Sequence, residues 1–177
     1  MKKATLIALT TLSLTYAASV SANNTVKFLG EVSTQTCTVD INGISSNPMI
    51  LLPTVPASAL AVQGGTAGAT KFTVNLTGCT SEGTATTIKT VFLANNVTAN
   101  GNLGNTGSAT DVSINLLDSN GSTPLDFTSG FATTTAMTLA SGATSTSQEL
   151  TAQYYAESTS VSAGSVITSA QYAITYP

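Results

Sequence analysis

Residues 25–41, TVKFLGEVSTQTCTVDI, are the stretch on which the fold turns. From Thr25 to Ser33 the side chains alternate. Val26, Phe28, Gly30 and Val32 fall on one side, and Lys27, Leu29, Glu31 and Ser33 fall on the other. Alternation of period two is the mark of a strand with one buried face. A second strand follows over residues 36–41, around Cys37. The pattern alone leaves two readings open for the first strand. It is either the ordinary first strand of a sandwich or an amphipathic strand with a partner elsewhere.

Upstream of this stretch the chain carries an export signal. Lys2 and Lys3 form a positive start, Ala4 to Leu14 is an uncharged, mostly apolar run, and Val20-Ser21-Ala22 supplies small residues before a cleavage point. That predicts a secretory signal peptide over residues 1–22 rather than a membrane anchor, because the apolar run is short and Ser and Thr interrupt it. The mature chain of about 155 residues suits one domain. No later run is long enough to span a bilayer, so no membrane insertion is expected.

Downstream, short alternating segments are separated by Gly, Asn, Ser and Thr clusters. Met49 to Leu52 is an apolar run closed by Pro53, and Ala57 to Val62 reads as a helical turn or loop. Gln63 to Thr70 (QGGTAGAT) reads as a flexible loop. Phe72, Val74 and Leu76 alternate into Gly78-Cys79. Ile88 to Ala94 is a further strand, and Asn95 to Thr110 a long loop poor in apolar residues. Val112, Ile114 and Leu116 alternate, and Asn120-Gly121 is a type I′ hairpin signal. Phe127 and Phe131 flank another turn, Met137 and Leu139 mark a weak strand, and Leu150 to Glu157 and Val166 to Tyr176 are the last two strands. Many short strands without an amphipathic helix predict an all-β sandwich.

Composition agrees. Ser and Thr make up close to a third of the chain, only 7% of residues are charged, and Arg, His and Trp are absent. After cleavage, Lys27, Lys71 and Lys89 face eight carboxylates, so nucleic-acid binding is not expected. Cys37 and Cys79 are the only cysteines, and an even pair in an exported chain predicts one disulfide. Closing a loop of that length is worth roughly 4 kcal/mol in the chain-entropy account.

The usual catalytic arrangements are missing. Serine or cysteine triads need an imidazole, and there is none. Thr86-Thr87-Ile88-Lys89 only approaches a Ser-x-x-Lys pattern, within a strand. One cysteine pair without histidine does not make a structural zinc site. Asp118-Ser119-Asn120-Gly121 lacks the twelfth-position ligand of a calcium loop. Asp118 and Asp126 read as solvated residues flanking a hairpin. Gly101, Gly104 and Gly107 fit neither phosphate-binding pattern. No catalytic residue, metal or cofactor is assigned.

The C-terminus supplies the counterpart of the opening stretch. Counting back by twos from Tyr176 gives Ile174, Tyr172, Ala170, Thr168, Val166 and Gly164. With residues 25–32, the Cys37-Thr38-Val39-Asp40 segment, the cysteine spacing, Asp111–Asp118 (DVSINLLD) and Gln153-Tyr154-Tyr155-Ala156, this pattern resembles the chaperone–usher pilins, specifically the major subunit of type 1 fimbriae. The penultimate Tyr176 and Gly164, fourteenth from the end, match the C-terminal pattern of that family.

The resemblance implies an incomplete immunoglobulin-like sandwich, with a donor-strand extension at residues 23–36 and a pilin domain at 37–177. The subunit polymerises with neighbouring subunits by donor-strand complementation and exchange. A periplasmic chaperone and an outer-membrane usher are its partners in transit, and its destination is a cell-surface fimbrium supporting adhesion. Val26, Phe28, Gly30 and Val32 are then donor residues, each large one contributing roughly 1.5–3 kcal/mol if fully buried. Gly164, Val166, Tyr172, Ile174 and Tyr176 line the acceptor. A one-residue slip would turn Lys27 and Glu31 inward, so register is enforced. The extension is short for a type 1 major subunit, and Leu29 is apolar on the outward face. Shaft and adaptor roles both stay open, as does a self-sufficient secreted β-sandwich that binds a ligand.

Overall fold

The computed structural model describes residues 36–80 and 83–176. The expected signal peptide and the expected donor residues Val26, Phe28, Gly30 and Val32 lie outside them.

Nine strands form the body: β1 (Thr38–Ile41), β2 (Thr66–Thr77), β3 (Thr86–Ala94), β4 (Leu103–Gly104), β5 (Val112–Leu117), β6 (Phe131–Thr133), β7 (Met137–Leu139), β8 (Thr146–Ala156) and β9 (Ala170–Thr175). Among the described residues a single 3-10 turn, Ala57–Leu60, is the helical element. One sheet runs in the order β1-β2-β8-β5-β4. In the other, β3 is central. It pairs with β7 through residues 86–88 and with β6 through residues 91–93 on one edge, and with β9 on the other edge. All these pairings are antiparallel.

The period-two pattern explains the layers. Phe72, Val74 and Leu76 on β2, Ile88 and Phe92 on β3, Ile114 and Leu116 on β5, and Leu150 and Ala152 on β8 are all buried, with more exposed neighbours between those on β2 and β3. Phe127, from the turn after β5, is also fully buried at the centre. The Cys37–Cys79 disulfide joins the start of β1 to the segment after β2 and packs with Leu76, Ile88, Met137 and Leu139 in a second cluster.

Four sequence expectations are corrected. Residues 63–70 are not a flexible loop. The Gly64 and Gly65 backbones bond to Ala156, and β2 begins at Thr66, absorbing Gly68 and Ala69 as a bulge opposite β8. Residues 95–110 are not poor in buried structure, because Leu103 is in the core and forms β4 with Gly104. The type I′ hairpin is at Asn42-Gly43, where both residues have positive φ (51° and 82°) and Ile41 and Ile44 exchange two backbone bonds. At Asn120-Gly121 only the glycine is left-handed (φ 69°), and the Asn120 side chain accepts from the backbone of Ser122 and Thr123 to form a wider return. Asp118 is not solvated. It is buried and accepts from the Thr135 backbone and hydroxyl and from the Ser119 backbone. These bonds replace the water it gives up.

Candidate functional site: a groove beside the C-terminal strand

In an immunoglobulin-type sandwich one sheet holds strands A, B, E and D and the other C, F and G. Here β1-β2-β8-β5 supplies the first four in order, and β3 and β9 supply C and F. Among the described residues no strand takes the place of G, and β9 pairs with β3 alone. An open strand edge inside a core layer leaves unpaired N–H and C=O groups beside apolar side chains.

One lip is the segment from residue 45 to 56, which packs on the main core and comes beside residues 164–166 through Thr54 and Val55. Ile50 and Leu52 turn inward and pack on the main core, while Met49 and Leu51 face out. Pro53 and Pro56 lack backbone donors, so this lip cannot form a continuous ladder. The sequence shows Met49 to Leu52 as a plain apolar run. Its alternation, Ile50 and Leu52 against Met49 and Leu51, was the signal for this lip.

The other lip is the C-terminal strand, which carries Val166, Tyr172, Ile174 and Tyr176, with Gly164 just before it. From Val166 to Tyr176, alternate residues are half-buried, and Ile167, Ser169, Gln171 and Ala173 between them are exposed. The hydrogen-bonded strand is shorter than the alternation, covering only 170–175. Val166, Ala170, Tyr172 and Ile174 pack against the main core, and the Tyr172 ring lies 6.4 Å from that of Phe92.

Each end of the groove is fixed differently. At one end the Cys37 N–H donates to the Tyr176 hydroxyl (3.0 Å), and Ile174, Tyr176 and Cys37 pack on the disulfide cluster. At the other end, residues 164–167 are held by the loop before β5 rather than by β3. Thr106 N–H donates to the Ile167 carbonyl (2.8 Å), Ala109 N–H to the Ser165 carbonyl (3.0 Å), and Ile167 N–H to Asn105 Oδ1 (2.8 Å). The two backbones meet so closely that a Cβ on Gly164 would lie 2.5 Å from the Ala109 nitrogen, and one on Gly107 would lie 2.2 Å from the Ser165 oxygen. Gly164 is therefore a contact glycine and not a conformational one. The loop residues Asn105, Thr106 and Gly107 were missed by sequence reasoning because their partners lie about sixty residues away.

A cavity of about 380 Å³ opens at this end. Val55, Leu60, Ala109, Val112, Tyr154 and Val166 supply its apolar wall. Thr54 and Val55 share this lining with Gly164 to Val166, so the two segments meet at the cavity.

The loop that forms this end is anchored by Glu157. Its carboxylate accepts from the Asn100 and Asn102 amides and the Ser113 hydroxyl. Burial alone would raise its pKa, but the hydrogen bonds from Ser113, Asn100, Asn102 and Thr98 outweigh that and hold it below the ordinary glutamate value.

Comparisons with known proteins agree with this architecture. The fimbrial protein family model matches residues 4–177. The F17 fimbrial protein of Escherichia coli is 33% identical over 165 residues, covering 90% of each chain. The major fimbrial subunit SMF-1 of Stenotrophomonas maltophilia is 33% identical over 171 residues, covering 90% of this chain and 95% of its own. A solved chaperone–usher pilus structure, described in relation to rod uncoiling, shares the fold with a TM-score of 0.59 at 20% identity, over 92% of this chain and all of its own. The chain belongs to the fimbrial protein family: it is a structural subunit of a cell-surface pilus that polymerises with neighbouring subunits, and not an enzyme.

Proposed function

We propose that this subunit is the shaft unit of a chaperone–usher pilus, and that the groove beside β9 accepts a donor strand from the next copy. The observation that carries the reading is that, among the described residues, β9 pairs on one edge only, in a sandwich whose other sheet has all four strands. Because neighbouring strands of such a sandwich are antiparallel, the inserted strand runs against β9. Its root then lies at the cavity end, near Gly164, and its free end near Tyr176. The acceptor's own extension leaves from Cys37, at the opposite end from the cavity. Subunits thus join head to tail and form an open filament.

In this reading residues 1–22 are removed on export, residues 23–36 are the donor extension and residues 37–177 the acceptor body. Val26, Phe28 and Val32 insert side chains, and Gly30 sits where the floor leaves no room. Val32, nearest the root, reaches the cavity. Strand addition satisfies the edge backbone while alternate side chains give specificity. A periplasmic chaperone covers the same groove before assembly, since an exposed apolar edge aggregates. An outer-membrane usher is where the exchange takes place. The resemblance to a protein named as a major subunit, over nearly its whole length, supports the shaft role. The short extension is the feature that favours an adaptor.

The test is deletion of residues 23–34 in the exported chain. The expected result is a soluble complex with the chaperone that does not polymerise. A chain that misfolds despite the chaperone would show that these residues are a strand of its own core. Gly30→Leu is expected to block assembly while the subunit still folds, and normal fibres from that variant would overturn the pocket assignment.

A further inference from the structure

A cell-surface chain rich in Asn, Ser and Thr offers one covalent chemistry that needs no catalytic residue of its own, the attachment of a glycan to asparagine. The acceptor pattern is Asn-x-Ser/Thr with x other than Pro. It occurs at Asn23, Asn75, Asn96 and Asn120. Asn23 lies outside the described residues. The other three share the local pattern but have different surroundings.

Asn75 lies within β2. It is paired with Asp40 of β1, and its amide donates to the Asp40 carboxylate (2.8 Å). Asn96 is exposed, but its amide lies over Gly104, where a Cβ would come within 2.5 Å of the amide nitrogen. A sugar on either nitrogen would displace Asp40 or lift the chain from Gly104. Asn120 has room. Every residue from Ser119 to Pro124 is exposed, and a Cβ added at Gly121 would meet nothing within 4 Å.

The Asn120 amide is also held in a reactive arrangement. Its Oδ1 accepts from the backbone N–H of Ser122 (2.9 Å) and of Thr123 (2.8 Å), and its Nδ2 donates to Thr123 Oγ1 (2.6 Å). An amide nitrogen becomes a nucleophile as it gives up a proton, and charge then builds on the oxygen. Two N–H donors aimed at that oxygen stabilise the charge. Ser122, which completes the acceptor pattern, is one of the two donors. The turn is tied to Thr135, two residues after β6, through Asp118 and Ser119. β6 and β9 both pair with residues 91–93 of β3, so they lie on opposite edges of it. A bulky group on the turn is therefore compatible with the joining of subunits. Only 7% of the chain is charged, and a glycan adds hydration without charge.

We infer that Asn120 is a glycan attachment site. Nδ2 forms a bond to the anomeric carbon of a sugar carried on a membrane lipid pyrophosphate. The bond from that carbon to the pyrophosphate oxygen breaks, the lipid pyrophosphate leaves, and Nδ2 loses one proton. A membrane-bound glycosyl transferase is the partner. The inference does not depend on the donor-strand reading above.

The test is mass spectrometry of peptides from fibres made by the organism that encodes the chain. The expected result is a glycan on the peptide that contains Asn120 and none on those that contain Asn75 or Asn96. The glycan is lost in Asn120→Gln and in Ser122→Ala and kept in Ser122→Thr, with fibres formed by all three variants. Ser122→Ala retains the backbone N–H that supports the turn, and exposed substitutions of this kind leave stability nearly unchanged, so its effect is not one of folding. Unmodified Asn120 in wild-type fibres would overturn the inference. So would a glycan that persists in Ser122→Ala, or one found on Asn75 or Asn96 instead.

Discussion

The two sheets of this sandwich obey the same alternation yet are buried to different depths. On the closed sheet, inner residues such as Val74 and Leu150 are fully buried, because β2 and β8 have a strand on either side. On the open sheet, the inward residues of β9 from Ala170 to Ile174 stay half-buried, because one edge has no strand among the described residues. The contrast teaches that a folded body can be stable on one layer and still hold apolar surface in reserve on the other. In the donor-strand reading proposed above, burial of that reserve drives the joining of subunits without a chemical step.

The sharpest way to break this comparison is a matched pair of truncations. Leu150→Ala is expected to cost about 2–5 kcal/mol of unfolding free energy with the groove empty or filled. Ile174→Ala is expected to cost less in the empty subunit and to rise into that range once a peptide of residues 23–36 is added. Guanidinium midpoints with and without the peptide decide the matter. Equal costs without peptide would mean that the β9 face is already as buried as the β8 face.

Gly164→Ala tests how the cavity end is held. Its new Cβ has no space against the Ala109 backbone, and forcing it in is expected to cost about 1–3 kcal/mol. Amide exchange should accelerate at Ile167 and leave β2 and β8 untouched. Tyr176→Phe tests the disulfide end. Loss of the hydroxyl acceptor for the Cys37 N–H is expected to cost about 0.5–1.5 kcal/mol, read as faster exchange of the Cys37 amide.

The smallest effect concerns pH. Glu157 has a lowered folded pKa relative to its ordinary value of 4.5. Its contribution is therefore complete above the ordinary glutamate range and is lost as pH falls through the lower folded value. Glu157→Gln should flatten this part of the stability profile. Urea midpoints measured from neutral pH down through the carboxylate range would reveal it, and a parallel shift of the whole profile would remove Glu157 as the cause.

The alternation of the last strand was legible in advance, and the reasons are local. The residues of the C-terminal lip announce themselves by alternation, and Tyr176 and Gly164 by their places in a familiar pattern. The second lip was obscured because Met49, Ile50, Leu51 and Leu52 are all apolar, so polarity does not separate the inward pair from the outward one. Asn105 to Ala109 read as loop because their hydrogen-bond partners are far away in the chain. The two Asn-Gly pairs have the same local signal. Only Asn42-Gly43 becomes the tight turn, since Asn42 also bonds with Thr73 on β2 through its backbone and side chain.

Residue types and near-neighbour periodicity alone determined the β character and the inward face of the last strand. Those properties depend on each residue and the few beside it. The tertiary structure alone decided which glycine pair turns, that Gln63 to Thr70 joins a strand, that Asp118 is buried and that, among the described residues, β9 has a strand on one edge only. Alternation tells a side chain which way to face, but whether a strand's edge finds a partner depends on chain brought in from elsewhere.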